Sequence, residues 1–247
     1  MICLNCGVSF AGNYCPNCGQ KAGVKRLSAH VLLEEAVHFI SHIEKEFFKT
    51  TWNFLVHPGI SSLNFLSGKR KKYQKPVSYF LIWTGLYILI HVIIINHFDY
   101  KFSAVNFTPS DLREQANLLL RTHFTIFLIP ILFVVALFEY FILAKPRFNF
   151  TEMITLCLYG GGTYFAMLFI SDIVLGAIFK INIITAGVFY WQSILSSIYN
   201  LWFSLDLFKR VHIRHLVLRL IAVAIVVPLA GWALMDYLPL IWIYFGK

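Results

Sequence analysis

The stretch that decides the fold is residues 68–98, which read GKRKKYQKP and then VSYFLIWTGLYILIHVIIINHF. A dense group of cations stands directly before a run that contains no Asp, Glu, Lys or Arg. A helix of about 20 apolar residues covers the roughly 30 Å hydrocarbon core of a bilayer. Positive charge beside such a run is typical of the cytoplasmic end of a transmembrane helix. The stretch therefore predicts a membrane protein and the orientation of its first span.

The composition extends this prediction to most of the chain. Of 247 residues, 58% are apolar and only 13% are charged, whereas soluble domains carry roughly 25% charged residues. Both an ordinary soluble enzyme and a disordered chain are thereby excluded. The apolar segments are continuous rather than alternating, which favours helices over a barrel. We predict an all-α integral membrane bundle with about five transmembrane helices, at residues 77–98, 124–144, 152–179, 183–208 and 216–238.

The positive charge of the chain is asymmetric along these segments. The formal net charge is +9, and most Lys and Arg residues precede residue 77 or lie in the connections 145–151 and 209–219. Because positive residues stay in the cytoplasm, the N-terminus of this multi-pass membrane protein is predicted to be cytoplasmic and the C-terminus to lie on the opposite side of the membrane. The charge is thus explained by topology and by anionic lipid, which argues against a nucleic-acid partner. Homo-oligomerisation stays open.

Four of the five cysteines form two CxxC pairs, Cys3/Cys6 and Cys15/Cys18, each followed by glycine. Two such turns supply four thiolates in a tetrahedron, which is the closed geometry of one structural Zn²⁺ ion. A reducing cytoplasm disfavours disulfides; iron in a rubredoxin-like site is the alternative metal. We predict a zinc ribbon over residues 1–26 that folds around its metal and contacts a cytosolic protein or braces its neighbours. Cys157 is expected to be a small buried hydrophobic residue.

Residues 27–76 are predicted to form an amphipathic helix and a basic loop. The helix could lie on the inner leaflet or pack on the bundle, and its residues Trp52, Phe54 and Leu55 are expected at an interface. Its polar face carries a helical i, i+4 pair of histidines with a carboxylate one turn earlier, which is either a solvated face or a second metal site. The basic loop is either a positive-inside anchor that attracts anionic lipid headgroups or a specific phosphate site. The residues of the second metal hypothesis are Glu34, His38 and His42, and those of lipid contact are Lys69, Arg70, Lys71, Lys72 and Lys75.

Ionisable residues at membrane depth are functional hypotheses. The predicted transmembrane helical domain covers residues 77–247. Near the cytoplasmic ends of its second to fifth spans, the topology places four ionisable groups that could form a structural network or line a polar pocket. They are Glu139, Glu152, Asp206 and Arg219. His91 and Asp172 are expected to be alone at their depths, each in an interhelical hydrogen bond or beside a cavity. The triplet Gly160–Gly161–Gly162 predicts close helix packing or a kink.

The cysteine-rich start, His57-Pro58-Gly59, the run from Gly68 to Tyr73 and Pro76 together resemble a functionally uncharacterised bacterial family that is common in the Bacteroidetes lineage. Its members join a zinc ribbon to a multi-span membrane domain, and the resemblance covers about residues 1–80. Phe150-Thr151-Glu152 is similar to a Tyr/Phe-x-Glu element of that family, but Met153 stands where a histidine usually follows. The resemblance implies this architecture in a bacterial inner membrane, with the C-terminus in the periplasm, and it implies no activity.

Three functions are compatible with these features. The first is a non-enzymatic membrane scaffold or regulator whose zinc ribbon docks a partner or braces the bundle. The second is a transporter or channel with a polar pocket at inner-leaflet depth, although no inverted repeat or ring of like charges is visible in the sequence. The third is a membrane enzyme acting on lipid-linked substrates, for which no nucleophile–base pair is visible. We favour the first.

Overall fold

The computed structural model describes residues 1–30, 32, 46–99 and 124–245. The second metal hypothesis, on Glu34, His38 and His42, lies outside the described residues. After the cysteine-rich start, the described elements are α1 (Phe47–Val56), α2 (Pro58–Leu66), a 3-10 turn (Arg70–Lys72), α3 (Pro76–His97), α4 (Phe124–Glu139) with a π-helical continuation (Tyr140–Ala144), α5 (Phe150–Asp172) with a second π-helical continuation (Ile173–Ile178), α6 (Ala186–Val211) and α7 (Leu216–Phe245). The described residues form no β-sheet, so the all-helical prediction is confirmed for them.

Local sequence explains where the long helices begin. Pro76 occupies the first turn of α3, where its missing N–H costs nothing and its fixed φ suits a helix. Helix α5 starts with a capping box of two reciprocal hydrogen bonds. The Glu152 backbone N–H donates to the Asn149 side chain, and the Asn149 backbone N–H donates to the Glu152 side chain. Thr185 caps α6 through its side chain. Each predicted apolar segment overlaps one of the helices α3 to α7.

Helix α5 is the centre of the fold, with α3 and α4 packed along it and α1, α2 and α6 in further contact. The glycine triplet explains how α3 comes so close. A Cβ at Gly162 would lie 2.7 Å from the ring of Tyr79, and one at Gly161 would lie 3.0 Å from the ring of Phe80. The triplet therefore serves close packing, as in other small-residue helix interfaces.

Helices α1 and α2 pack against the bundle. Phe54 is fully buried and its ring stacks on Tyr159 with centroids 4.2 Å apart. Of the two predicted alternatives for this helix, Phe54 therefore follows packing on the bundle, because α1 turns this side chain towards α5. Trp52, which lies on another face of α1, is 65% exposed. The packing of the bundle decides which of the apolar residues of α1 are covered.

Two segments of the described chain could cross a membrane by length and hydropathy, Arg70–His97 and Phe150–Ile178. Pro130–Ala144 and Leu216–Gly231 are apolar but shorter, so a bundle of five spans stays a prediction.

The outer face of α6 carries large apolar side chains that are 39–62% exposed. A contiguous apolar surface of this kind marks contact with lipid or protein rather than with water. Its residues are Tyr190, Trp191, Ile194, Ile198, Leu201, Trp202 and Leu205.

Candidate metal centre and its attachment to the helical domain

The four N-terminal cysteines lie on two similar turns. In each turn the glycine N–H donates to the carbonyl of the first cysteine, at 2.9 Å from Gly7 to Cys3 and at 2.8 Å from Gly19 to Cys15. Both glycines have positive φ, +76° and +71°, a backbone conformation that glycine adopts without steric cost. Short antiparallel bridges flank the two turns. The CxxCG spacing therefore produces two matching turns whose thiols face each other.

The sulfur atoms form a compact group that could hold a metal ion. All four Sγ atoms lie within 4.8 Å of one another, with Cys3–Cys18 at 3.6 Å and Cys6–Cys15 at 3.5 Å. Tetrahedral zinc with Zn–S bonds of about 2.3 Å requires sulfur separations of about 3.8 Å, so the geometry fits a closed four-sulfur site. No disulfide joins the cysteines, and a disulfide would bring two sulfurs to about 2.05 Å.

Groups around the sulfurs are arranged with approximate two-fold symmetry. The asparagine before the second cysteine of each turn reaches across the site, so that Asn17 contacts Cys6 and Asn5 contacts Cys18. The Val8 N–H, followed by the Asn17 amide, lowers the pKa of the Cys6 thiol to about 6. Burial raises the pKa of the Cys15 thiol to about 11. Such donors orient and stabilise thiolate ligands in metal sites, and the sequence did not reveal the role of the two asparagines.

The cysteine module (residues 1–27) is attached to the start of α5 by an ion pair. The Arg26 guanidinium donates to both oxygens of Glu152, with Nε–Oε1 at 2.7 Å and Nη2–Oε2 at 2.8 Å. The Glu152 side chain is 6% exposed and that of Arg26 is 64% exposed. Glu152 raises the pKa of Arg26 above its usual range, first through the hydrogen bond and then through its charge. The Asn149 amide also donates to the Leu27 carbonyl at 3.2 Å.

A second attachment joins the module to the basic loop (residues 68–75). Gln20 Oε1 accepts from the backbone N–H groups of Arg70 and Lys71, both at 3.2 Å. Arg70 Nη2 donates to the Lys25 carbonyl at 2.7 Å. A Cβ at Gly68, whose φ is +100°, would lie 2.7 Å from Leu4 Cδ1. The loop is therefore held in a defined conformation by the cysteine module.

Of the predicted lipid-contacting cations, Lys71 and Lys72 are exposed, whereas Lys69, Arg70 and Lys75 are partly buried. Lys69 Nζ donates to Asn64 Oδ1 at 3.2 Å, and the Arg70 guanidinium also lies over the Phe65 ring, 5.6 Å from its centroid. The exposed pair is thus the part of the basic loop that is open to an external anion.

The four residues of the predicted polar pocket have separate partners. Glu152 pairs with Arg26, and Asp206 accepts from the Gly59 N–H at 2.8 Å and pairs with Arg210. Glu139 is 3% exposed. Its carboxylate accepts a hydrogen bond from Asn200 Nδ2 at 2.7 Å and lies 3.5 Å from Cys157 Sγ. Arg219 donates to the Ile142 carbonyl at 3.2 Å. Within the described residues these hydrogen bonds and ion pairs do not join the four into one cluster.

A buried contact between His91 and Asp172 was not anticipated. His91 Nδ1 lies 2.6 Å from Asp172 Oδ2, and Gln192 Nε2 donates to Asp172 Oδ1 at 3.0 Å. Our expectation that both ionisable residues would be alone at their depths was wrong, because α3 and α5 run side by side and bring their far ends together. His91 lies 14 residues and Asp172 lies 20 residues from the predicted cytoplasmic ends of their spans, a difference of about 9 Å along a helix, so no signal in the sequence pointed to the pairing.

Comparison with protein families identifies a match over part of the chain. A family model described as Protein of unknown function (DUF3667) matches residues 44–88, a stretch that includes α1, α2, the basic loop and the first half of α3. No curated protein and no solved structure matches the chain. The match is consistent with the resemblance to an uncharacterised family. The chain is therefore similar to a family of unknown function over the segment that contacts both the cysteine module and the centre of the helical domain.

Proposed function

We propose that this chain is a non-enzymatic integral membrane protein of a bacterial inner membrane, in which a cytoplasmic zinc ribbon braces the helical domain and docks a cytosolic partner. The observation that carries the proposal is the double attachment of the cysteine module, through Arg26 to Glu152 and through Gln20 to the basic loop. Four sulfurs fill every position of a tetrahedral metal, which suits a structural ion rather than a catalytic one. We propose five spans, with the C-terminus in the periplasm.

Bracing follows from the size of the module. A segment of this length has no hydrophobic core of its own, so a bound metal supplies its folding energy. The folded turns then hold Gln20 and Arg26 where they reach the basic loop and α5. Metal binding is thereby coupled to the conformation of the segment that precedes the first span.

The cysteine module has exposed apolar side chains that could contact a partner protein. Ile2 and Tyr14 belong to the two bridges and are 69% and 62% exposed. Exposed apolar and aromatic side chains on a small rigid module favour protein contact. Lys71 and Lys72 lie beside this module, where anionic inner-leaflet lipids would attract them by about 1 kcal/mol per charge.

The test combines metal analysis with proteolysis. Purified wild-type protein is expected to carry about one zinc per chain, the Cys3→Ser/Cys18→Ser variant none, and the Cys157→Ser control about one. Trypsin cleavage within residues 69–72 should accelerate about tenfold when zinc is removed, because the loop then loses its hydrogen bonds to Gln20. Gln20→Ala should reproduce that acceleration with zinc retained. Undiminished zinc in the double variant refutes the metal site, and a cleavage rate independent of zinc refutes the brace.

Docking is tested separately. An Ile2→Asp/Tyr14→Ser variant should keep its zinc and lose a protein that cross-links to the wild-type module in cells. Lys71→Gln/Lys72→Gln should retain less anionic lipid after purification than Lys209→Gln, which changes an exposed lysine at the end of α6. Equal cross-linking with and without the exposed apolar residues would contradict the docking part of the proposal.

A further inference from the structure

The contact between His91 and Asp172 lies between three of the long helices. His91 belongs to α3, Asp172 is the last residue of α5 before its π-helical continuation, and Gln192 lies in the second turn of α6. Asp172 is fully buried, and both its carboxylate oxygens have partners, at 2.6 Å to His91 and 3.0 Å to Gln192. π-Helical segments inside helices frequently mark functional sites. The carboxylate is therefore held between a base and an amide donor at a break in helical regularity.

We propose that His91 and Asp172 form a proton-binding site, which takes up and releases one proton inside the helical domain. An isolated charge is costly in an apolar environment; with its proton bound the pair carries no net charge, and after release the carboxylate keeps two donors, the imidazole Nδ1–H and the Gln192 amide. Imidazolium beside carboxylate and neutral imidazole beside carboxylic acid both have zero net charge, and both hold one proton more than imidazole beside carboxylate. Because the atoms are 2.6 Å apart, the proton moves between Nδ1 and Oδ2 without a rearrangement of the backbone.

The surroundings provide a route for exchange on one side only. The His91 side chain is 26% exposed, whereas that of Asp172 is 0% exposed. A proton therefore enters and leaves through the imidazole rather than through the carboxyl group. Asp172 acts as the buried partner that compensates the charge of the imidazolium.

The other groups near the site are polar but uncharged. Tyr87 on α3 lies against the His91 ring with centroids 5.4 Å apart. On α5, Tyr164 is close enough to interact with Asp172, and its hydroxyl donates to the Gln192 carbonyl at 3.2 Å. On α6, Gln192 contributes an amide. Among the described residues around Asp172, the ionisable group in direct contact is His91, so the proton is shared by these two side chains.

A second buried carboxyl provides a matched comparison. Glu139 is the last residue of α4 before a π-helical continuation and also accepts from an α6 amide, that of Asn200 at 2.7 Å. Its titratable neighbour is the Cys157 thiol, with Sγ 3.5 Å from Oε2, in place of an imidazole. Glu139→Gln therefore removes a carboxyl of similar burial without touching the proposed site.

Infrared spectroscopy of the purified full-length protein tests the proposal. Between pH 5 and 8 the wild type is expected to show a pH-dependent carboxyl or carboxylate band that shifts when aspartate is labelled with ¹³C on its side-chain carboxyl. The band should disappear in Asp172→Asn and remain in Glu139→Gln. His91→Gln should retain a protonated carboxyl but make the band independent of pH over this range. The isotope shift is measured on the wild type and so does not depend on the folding of any variant.

Two outcomes would overturn the proposal. The first is a wild-type spectrum without any aspartate band that changes over this pH range, since the pair would then be a fixed hydrogen bond between helices. The second is a pH-dependent aspartate band that persists unchanged in both Asp172→Asn and His91→Gln, because another aspartate would then be its source. Zinc content should be unchanged in all variants, which separates this site from the metal centre.

Discussion

The contact between α2 and α6 gives a prediction whose magnitude follows from the structure. Gly59 lies in the first turn of α2, and a Cβ built on it would be 2.5 Å from the carbonyl carbon and oxygen of Asp206. Ordinary van der Waals contact begins at about 3.4 Å, so Gly59→Ala must separate the helices by roughly 0.9 Å. The Gly59 N–H to Asp206 Oδ2 bond, now 2.8 Å, would lengthen to about 3.7 Å and be lost.

That hydrogen bond matters because His57, the residue before α2, makes no side-chain cap. The Asp206 carboxylate satisfies one of the orphan N–H groups of the first turn and interacts favourably with the positive end of the helix dipole. Overpacking costs about 1–3 kcal/mol and loss of a hydrogen bond to a charged group about 1.5–3 kcal/mol. After a gain of up to about 1 kcal/mol from the helix propensity of alanine, we expect Gly59→Ala to destabilise the protein by about 1.5–6 kcal/mol.

Thermal unfolding in detergent, followed by tryptophan fluorescence, measures the effect. The matched control is Gly85→Ala in α3, where an added Cβ meets nothing within 4 Å in the described structure. At about 2–4 °C per kcal/mol for a chain of this size, Gly59→Ala should lower Tm by at least about 3 °C and Gly85→Ala should not lower it. Equal Tm values for the two variants would refute the close approach of α2 to α6.

Three further predictions concern the module and the topology. Alkylation at pH 7 should be slow at Cys6 and Cys15 in zinc-loaded protein and become fast and similar at both when zinc is removed, because the module then loses the folded environment that holds their pKa values apart at about 6 and about 11; mass spectrometry of the labelled peptides measures the rates, and a large difference between the two cysteines in zinc-free protein would contradict metal-dependent folding. Glu152→Gln should accelerate zinc loss to a chelator several-fold, since a neutral amide replaces the carboxylate that pairs with Arg26, whereas an unchanged rate would mean that the ion pair does not hold the module in place. A periplasmic reporter fused after Lys247 should be active, and activity of a cytoplasm-only reporter there would contradict five spans.

Features encoded by short-range spacing were accessible from the sequence. The CxxCG pairs predict two turns with facing thiols because the geometry of each turn is local, and the four sulfurs indeed lie within 4.8 Å. The long apolar runs predict the positions of α3 to α7, because a continuous apolar segment of this length is satisfied only as a helix. The family resemblance likewise rested on local motifs, and the family model that matches covers residues 44–88.

Features that join distant residues were decided by the tertiary structure. The bond of Arg26 to Glu152 spans 126 residues and that of His91 to Asp172 spans 81, and no periodicity of the chain encodes either pairing. The polar residues near the predicted cytoplasmic ends were predicted to form a structural network or to line a pocket, and in the described structure close helix packing gives each an individual partner. The sequence by itself determined which residues are helical and which thiols converge, because those depend on neighbours along the chain. Only the packing around α5 decided which buried charges meet, because pairing depends on the register and rotation of helices against one another.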